Sequence, residues 1–284
     1  MRVAWIVATY TFRELLRRKV FVVVPVVTAV FLGLYFVGAV YAFRAINDNG
    51  FPGGFVDQRV VTGSTILGLS MFATFFLGTV LAVFLTFGSV RGDAEVGLLQ
   101  PLVVRPVGRT SLLAGRFLGT AIVSVAYVVF VYSVAVLITG IVGGWWPEGI
   151  VAAGLDLAGG VVVVTAISIL GSNFLTTIPN GLAVLGVYGA GLVAGLLGQV
   201  GHALSSHALE SMGRVASWVL PFEALYQASL HALTAGATGL TGFVVSLGPL
   251  GGAEPPGRLL IPWAVAYVAA VGLGASATFT RRDL

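Results

Sequence analysis

The closest approach to a catalytic or metal-binding cluster in the sequence is the group His202, His207 and Glu210. His207 and Glu210 are three residues apart and would share one face of a helix. Two imidazoles and a carboxylate can ligate zinc or a similar ion, which would make the chain an intramembrane enzyme. The spacing matches no established zinc motif, and a polar face of an interfacial helix explains the same residues equally well. Both interpretations stay open on the sequence.

Other catalytic motifs are absent from the sequence. It has no cysteine, which removes thiol chemistry and Cys-ligated metals, and no His-Glu-x-x-His segment. Lys19 is the only lysine, and no glycine-rich segment precedes it, so a P-loop cannot form on this chain. We therefore predict that the chain is not an enzyme and carries no cofactor or metal of its own.

The composition indicates a membrane protein. Of the 284 residues, 57% are hydrophobic and 9% are charged, whereas a soluble chain has about 25% charged residues. This balance excludes a soluble enzyme, a secreted disulfide scaffold and a disordered chain. Stretches without charge are long enough for transmembrane helices, and Pro179-Asn180-Gly181 supplies a break between two of them. The predicted fold is all-α with six spans, at 20–43, 60–90, 117–145, 157–177, 182–200 and 259–279.

The segments outside the spans set the predicted orientation. Residues 1–19 are predicted to form an amphipathic surface helix, although a simple topogenic charge cluster explains their periodicity equally well. Residues 201–258 are predicted to form an outer region of re-entrant or interfacial helices. With six spans, eleven of the fifteen Lys and Arg residues fall on the side that holds both termini and the 91–116 loop. The positive-inside rule places that side in the cytoplasm. The predicted span cores carry no formal charge, which disfavours a proton-coupled pump with an acidic relay.

Two groups of uncharged residues inside the spans could have a function. Phe72, Phe75 and Phe76 are spaced to lie on one helix face beside Thr79, and they could line an apolar substrate path. Contact with lipid or packing within the bundle explains them as well. Gly191 and Gly195 have the small-x-x-x-small spacing that allows two helices to approach closely. This approach could occur at a dimer interface or inside one subunit.

The predicted cytoplasmic loop at 91–116 is expected to contain a short apolar helix at 93–104. Asp93 and Glu95 stand at its start, where the helix dipole favours negative charge. Apolar side chains, including Leu99 and Leu102, follow before a turn that runs from Pro106 to Arg109. An apolar helix in the cytoplasm needs a surface to bury against. That surface is either the membrane or a partner protein.

At these residues the sequence resembles the membrane subunits of ABC transporters of the ABC-2 exporter class. The loop matches the family pattern in three places, and further matches occur at both ends of the chain and in the outer region. Leu98 replaces the usual Thr, and Pro101 interrupts the leucine stretch. The matching segments are Glu95-Val96-Gly97-Leu98-Leu99, Pro106-Val107-Gly108-Arg109, Gly115-Arg116, Arg17-Arg18-Lys19, Leu220-Pro221-Phe222-Glu223-Ala224-Leu225-Tyr226 and Phe279-Thr280-Arg281-Arg282-Asp283-Leu284. The chain looks most like the branch that contains permeases of copper-enzyme maturation systems.

The resemblance implies a permease in the cell membrane that pairs with a second permease copy, either identical or a close paralogue, and with two copies of a separate ATPase. ATP and Mg would be bound by that ATPase, and no nucleic acid is involved. The ATPase-coupling residues implied by the resemblance are Asp93, Glu95, Gly97, Leu99, Leu102, Pro106 and Arg109. In the family, helices two and five line the path and the outer helices roof it. The alternative is a non-transporting subunit that transmits ATP-driven motion to an extracytoplasmic partner. The substrate stays undetermined.

Overall fold

The computed structural model describes residues 20–49, 56–86, 109–237, 239–247, 255 and 257–280. Within these ranges the ordered elements are nine α-helices, and no strand occurs among them. The helices are α1 (Val20–Asn49), α2 (Gln58–Thr86), α3 (Arg109–Gly143), α4 (Ile150–Ser172), α5 (Thr177–Ala203), α6 (His207–Val219), α7 (Pro221–Thr234), α8 (Gly239–Leu247) and α9 (Leu260–Thr280). The predicted surface helix at 1–19 lies outside the described residues.

Six of the helices, α1 to α5 and α9, are long and apolar enough to cross a membrane, judged by length and composition. The apolar stretches in them run from 20 to 34 residues, and about 20 residues suffice for a span. The prediction of an all-α membrane protein with six spans is therefore confirmed. Residues 201–258, which the sequence assigns to an outer region, contain α6, α7 and α8 between the fifth and sixth of these helices.

The break between the fourth and fifth spans is displaced from its predicted position. α4 ends at Ser172 and α5 begins at Thr177, so Pro179 lies in the first turn of α5 instead of separating two helices. Proline is tolerated there because the first backbone N–H groups of a helix have no intrahelical acceptor. α4 also begins at Ile150, seven residues earlier than predicted, so Asp156 lies inside a helix that was expected to be uncharged.

Hydrogen bonds and close contacts fix the helix directions. The hydroxyl groups of Thr28 and Tyr127 are 2.7 Å apart, and those of Tyr35 and Thr139 are 2.5 Å apart, so α1 and α3 run parallel. α2 runs antiparallel to α3, because Gly63 packs on Trp145 near the C-terminal end of α3. We call the end of the bundle at which α1, α3 and α5 finish the hairpin end, and the other the opposite end.

α4 occupies the centre of the bundle. Val161, Val163 and Val164 are buried there together with Thr165, and helix α4 contacts α2, α3, α5, α7 and α9. Polar side chains in α4 are satisfied locally or by one neighbour: Thr165 donates to the Val161 carbonyl, and the Ser168 hydroxyl lies 2.6 Å from that of Thr86 in α2. Such pairing is expected of polar groups removed from water.

α6 and α7 form a helical hairpin that enters the bundle from the hairpin end. α6 runs antiparallel to α5, with Gly213 against Gly198, and α7 runs antiparallel to α4, with Leu225 against Gly159. At the tip, the Leu220 side chain lies beside Gly191. Gly191 is twelve residues from the end of α5, so the tip lies roughly 18 Å inside that end at about 1.5 Å per residue.

The packing predicts opposite effects of adding one methyl group at two glycines within spans. A Cβ at Gly78 would overlap with a Val128 methyl and lie 3.2 Å from a methyl of Val161, whereas a Cβ at Gly38 would meet nothing within 4 Å. We expect Gly78→Ala to lower the free energy of unfolding by about 1–3 kcal/mol and Gly38→Ala to leave it equal or raise it by up to about 1 kcal/mol. Thermal unfolding of the purified variants in detergent measures this difference, and equal effects would contradict the packing.

Candidate functional site

A cluster of aromatic rings joins α2, α5 and the hairpin. The ring of Phe75 stacks on that of Tyr226, with centroids 5.5 Å apart and planes 5° apart, and meets Tyr188 edge-on at 5.2 Å. Tyr188 in turn stacks on Phe222 at 5.9 Å. Aromatic pairs at such distances add stabilisation beyond the area that they bury. Burial raises the pKa of Tyr226, and the nearby carboxylate of Glu223 raises it further, so the phenol is neutral.

The predicted path residues divide between two environments. Phe75 and Thr79 are fully buried, whereas Phe72 and Phe76 are 45% and 43% exposed on the outside of α2. Within the described residues, the Thr79 hydroxyl has no hydrogen-bond partner. The two half-exposed rings lie at the edge of the aromatic cluster, Phe72 edge-on to Tyr226 at 6.4 Å and Phe76 tilted on Tyr188 at 6.2 Å. The other two side chains belong to the core of the subunit. A role of these four residues in a substrate path stays a prediction.

Gly191 and Gly195 receive the hairpin inside a single subunit. A Cβ at Gly191 would lie 2.7 Å from the Phe222 ring, and a Cβ at Gly195 would overlap with the carboxylate of Glu223. The spacing of these glycines could serve a dimer interface or packing inside one subunit. The contacts with Phe222 and Glu223 are packing inside one subunit. Gly186, further along the same helix, has open space around its Cβ position.

A cavity of about 320 Å³ lies where the hairpin meets α5 and the start of α9. Its charged lining residues are Glu223 of α7 and Glu210 and Arg214 of α6, and Arg214 is exposed. The rings of Trp218 and Trp263 also line it, 5.4 Å apart, and the Trp263 indole donates a 2.9 Å hydrogen bond to the Trp218 carbonyl. The cavity is thus a chamber with aromatic walls and ionisable groups, which we call the hairpin chamber.

Glu223 anchors a chain of amides in the hairpin chamber. Its side chain is 2% exposed, and its Oε1 accepts a 2.9 Å hydrogen bond from Gln227 Nε2. The Gln227 carbonyl oxygen accepts a 2.7 Å bond from Gln199 Nε2 in α5. The sequence assigns Glu223 to the outer region, but its contact with Gly195 places it roughly 12 Å inside the end of α5. The neighbouring Pro221, at the first position of α7, was the signal that a second helix starts there.

The structure describes the side chains of two members of the histidine and glutamate cluster, His207 and Glu210. His207 Nδ1 and Glu210 Oε2 are 3.9 Å apart, with the His207 side chain fully exposed, while the side chain of His202 lies outside what the structure describes. Across the described part of the chain, no three His, Cys, Asp or Glu residues are grouped so as to hold a metal ion. Glu210 instead contributes to the lining of the hairpin chamber.

The predicted ATPase-coupling residues fall almost entirely outside the described ranges. Arg109 is the first residue of α3, and its side chain is not described. The loop connects the end of α2 at Thr86 to that start of α3, at the opposite end from the hairpin chamber. The residues outside the described ranges are Asp93, Glu95, Gly97, Leu99, Leu102 and Pro106.

Comparison with known protein families gives a match over nearly the whole chain. A family model described as ABC-2 family transporter protein matches residues 5–284. A search of curated proteins returns no significant match. The match extends across all nine helices, including the hairpin.

The aromatic cluster predicts that Phe222 holds the hairpin in place. Phe222→Ala should lower the free energy of unfolding by about 3–5 kcal/mol, and Phe130→Ala, which truncates an exposed ring on α3, by less than about 1 kcal/mol. Because the chain has no cysteine, an added Ala224→Cys reports on the hairpin chamber. A maleimide should react with this cysteine faster in the Phe222→Ala background and at the unchanged rate in the Phe130→Ala background. Equal rates in both backgrounds would show that Phe222 is not the anchor.

Proposed function

The chain belongs to the ABC-2 family of transporter proteins and is a permease subunit of an ABC transporter, and we propose that it is an exporter subunit that pairs with a second permease copy. A separate ATPase, present in two copies, binds ATP and Mg and supplies the energy. The observation that carries the proposal is the combination of this family with a chain that has no P-loop sequence of its own. The membrane is the cell membrane, with both termini in the cytoplasm.

Coupling runs through the 91–116 loop in this proposal. The loop joins α2 to α3, and both helices pack against the central α4, so a displacement of the loop reaches the core of the subunit directly. The short helix that begins near Asp93 and Glu95 docks in a groove of the ATPase through apolar side chains such as Leu99. Closure of the two ATPases then moves α2 and α3 relative to the hairpin.

The path in this proposal lies between the two permease copies, along α2 and α5. Phe72 and Phe76 supply apolar side chains on the outside of α2. α5 presents an open stripe on its outer face, where Gly186 and Gly189 have no neighbours within 4 Å of their Cβ positions. The hairpin fills the outer part of each subunit, so motion of α2 against Phe222 and Tyr226 is transmitted to the outer end of the path. The exposed apolar surfaces suit an apolar or amphipathic substrate.

A pair of matched substitutions tests the coupling role of the loop. Leu99→Asp places a charge in the docking face and should abolish copurification with the cognate ATPase, while Glu95→Ala should weaken it. Leu175→Asp makes the same change at a half-exposed leucine in the turn between α4 and α5, at the same end of the bundle, and should leave copurification intact. If Leu99→Asp and Glu95→Ala leave both ATPase association and transport unchanged, the coupling assignment is wrong.

Single cysteines test the proposed orientation. Trp146→Cys lies after α3 at the hairpin end, and Leu175→Cys lies after α4 at the opposite end; both native side chains are exposed. In intact cells, a membrane-impermeant maleimide should label Cys at 146 and should label Cys at 175 only after permeabilisation. The reversed pattern would place the termini outside the cell.

A further inference from the structure

We propose that the hairpin chamber binds the headgroup of a phospholipid from the leaflet at the hairpin end, and that Arg214 holds its phosphate. This goes beyond the proposed export function, because the site lies within one subunit and not on the path between two. It depends on neither the direction of transport nor the ATPase.

Arg214 lies at the depth of the lipid headgroups. Its neighbour Gly213 packs on Gly198, five residues before the end of α5, which is about 7.5 Å inside that end at about 1.5 Å per residue. α5 has 27 residues and is therefore about 40 Å long. A bilayer is about 40–45 Å thick with its headgroups and has a hydrocarbon core of about 30 Å. Arg214 is thus near the boundary between headgroups and hydrocarbon.

The guanidinium group of Arg214 has no partner among the residues that the structure describes. No carboxylate oxygen of these residues is within 4.0 Å of its nitrogen atoms, and no hydrogen bond engages it. The carboxylates of the chamber have contacts of their own. Glu223 accepts a hydrogen bond from Gln227, and Glu210 Oε2 lies 3.9 Å from His207 Nδ1. An unpaired charge close to hydrocarbon is costly, and a lipid phosphate can pair with a guanidinium through two parallel N–H···O bonds.

The walls of the chamber suit the rest of a headgroup. Tryptophan rings are enriched at headgroup level because they combine an apolar face with a polar N–H, and Trp218 and Trp263 stand there with centroids 5.4 Å apart. Each side-chain amide of Gln199 and Gln227 has two N–H groups. Within the described residues each amide donates one hydrogen bond, which leaves donors for the oxygen atoms of a headgroup.

The size and the rim of the chamber favour a lipid over a soluble phosphate ester. A volume of about 320 Å³ is at the lower end of the range for small-molecule sites, about 300–1,000 Å³, and holds a headgroup without its acyl chains. Leu259 and Trp218 line the chamber and are 67% and 50% exposed. Val215, next to Arg214 on α6, is 63% exposed. Acyl chains of a lipid bound at Arg214 therefore find apolar surface directly outside the chamber.

Native mass spectrometry tests the proposal. The full chain is purified in a non-ionic detergent, stripped of lipid and titrated with phosphatidylglycerol, with diacylglycerol of the same acyl chains and with glycerol 3-phosphate. We expect saturable binding of one phosphatidylglycerol per chain, no binding of diacylglycerol and at least about tenfold weaker binding of glycerol 3-phosphate. Arg214→Gln should weaken phosphatidylglycerol binding about tenfold, because charge-assisted hydrogen bonds are lost, and Arg214→Lys, which keeps the charge without the planar fork, should weaken it less.

A matched variant separates the chamber from general attraction between lipid and arginine. Arg44 is exposed and lies five residues before the end of α1 at the same end of the bundle, but it does not line the chamber. Arg44→Gln should bind phosphatidylglycerol as the native chain does. Absence of saturable binding, equal binding of diacylglycerol, or an equal loss in Arg44→Gln would each overturn the proposal. Binding of glycerol 3-phosphate as tight as that of the lipid would show a site for a soluble phosphate ester instead, and would overturn it as well.

Discussion

The close approach of the α6–α7 hairpin to α5 depends on positions that carry no side chain. Gly198 and Gly213 bring two helix backbones into contact, and Gly191 and Gly195 make room for Phe222 and Glu223. Backbone polar groups inside a membrane must be satisfied within the protein, which the two short helices do with their own hydrogen bonds. Their place in the bundle depends on packing against longer helices. The glycines of α5 provide that surface. Side chains at these positions would overlap with the hairpin. The glycines therefore allow Phe222 to reach the aromatic cluster and Glu223 to line the hairpin chamber.

The number of long helices could be predicted from the sequence, because a charged side chain in a hydrocarbon core is costly and the gaps between charges mark the spans. The ends of the helices could not. Asp156 lies in the second turn of α4, where a helix end still reaches polar surroundings, so the charge did not end the helix. Pro179 was interpreted as a break, but a proline in the first turn of a helix removes no hydrogen bond. Local signals thus identify a boundary region and leave its position open by several residues.

The candidate site was harder to predict for a different reason. Residue spacing shows which side chains share a face of a helix, but only tertiary packing decides what covers that face. Phe75 is fully covered by Tyr188 and Tyr226. Phe72 and Phe76 contact the same two tyrosines from the edge of the cluster and stay half-exposed. The burial of Glu223 likewise depends on the hairpin. Glu223 is more than twenty residues from the nearest predicted span along the sequence, and that separation does not show that its segment turns back into the bundle.

The hairpin also explains how a chain whose predicted span cores are free of charge can hold a carboxylate deep in the bundle. A span with a charge at its centre must cross the hydrocarbon region with that charge exposed to lipid unless it is already packed. Glu223 is instead carried on a short helix beside Gln227, which is bonded to Gln199 of α5. Its polar neighbours are therefore brought together by the same fold that buries it. This arrangement places one carboxyl group beside α5 without adding it to a membrane span. The division between an apolar outer surface and a polar chamber within each subunit follows from the packing of the hairpin against glycine.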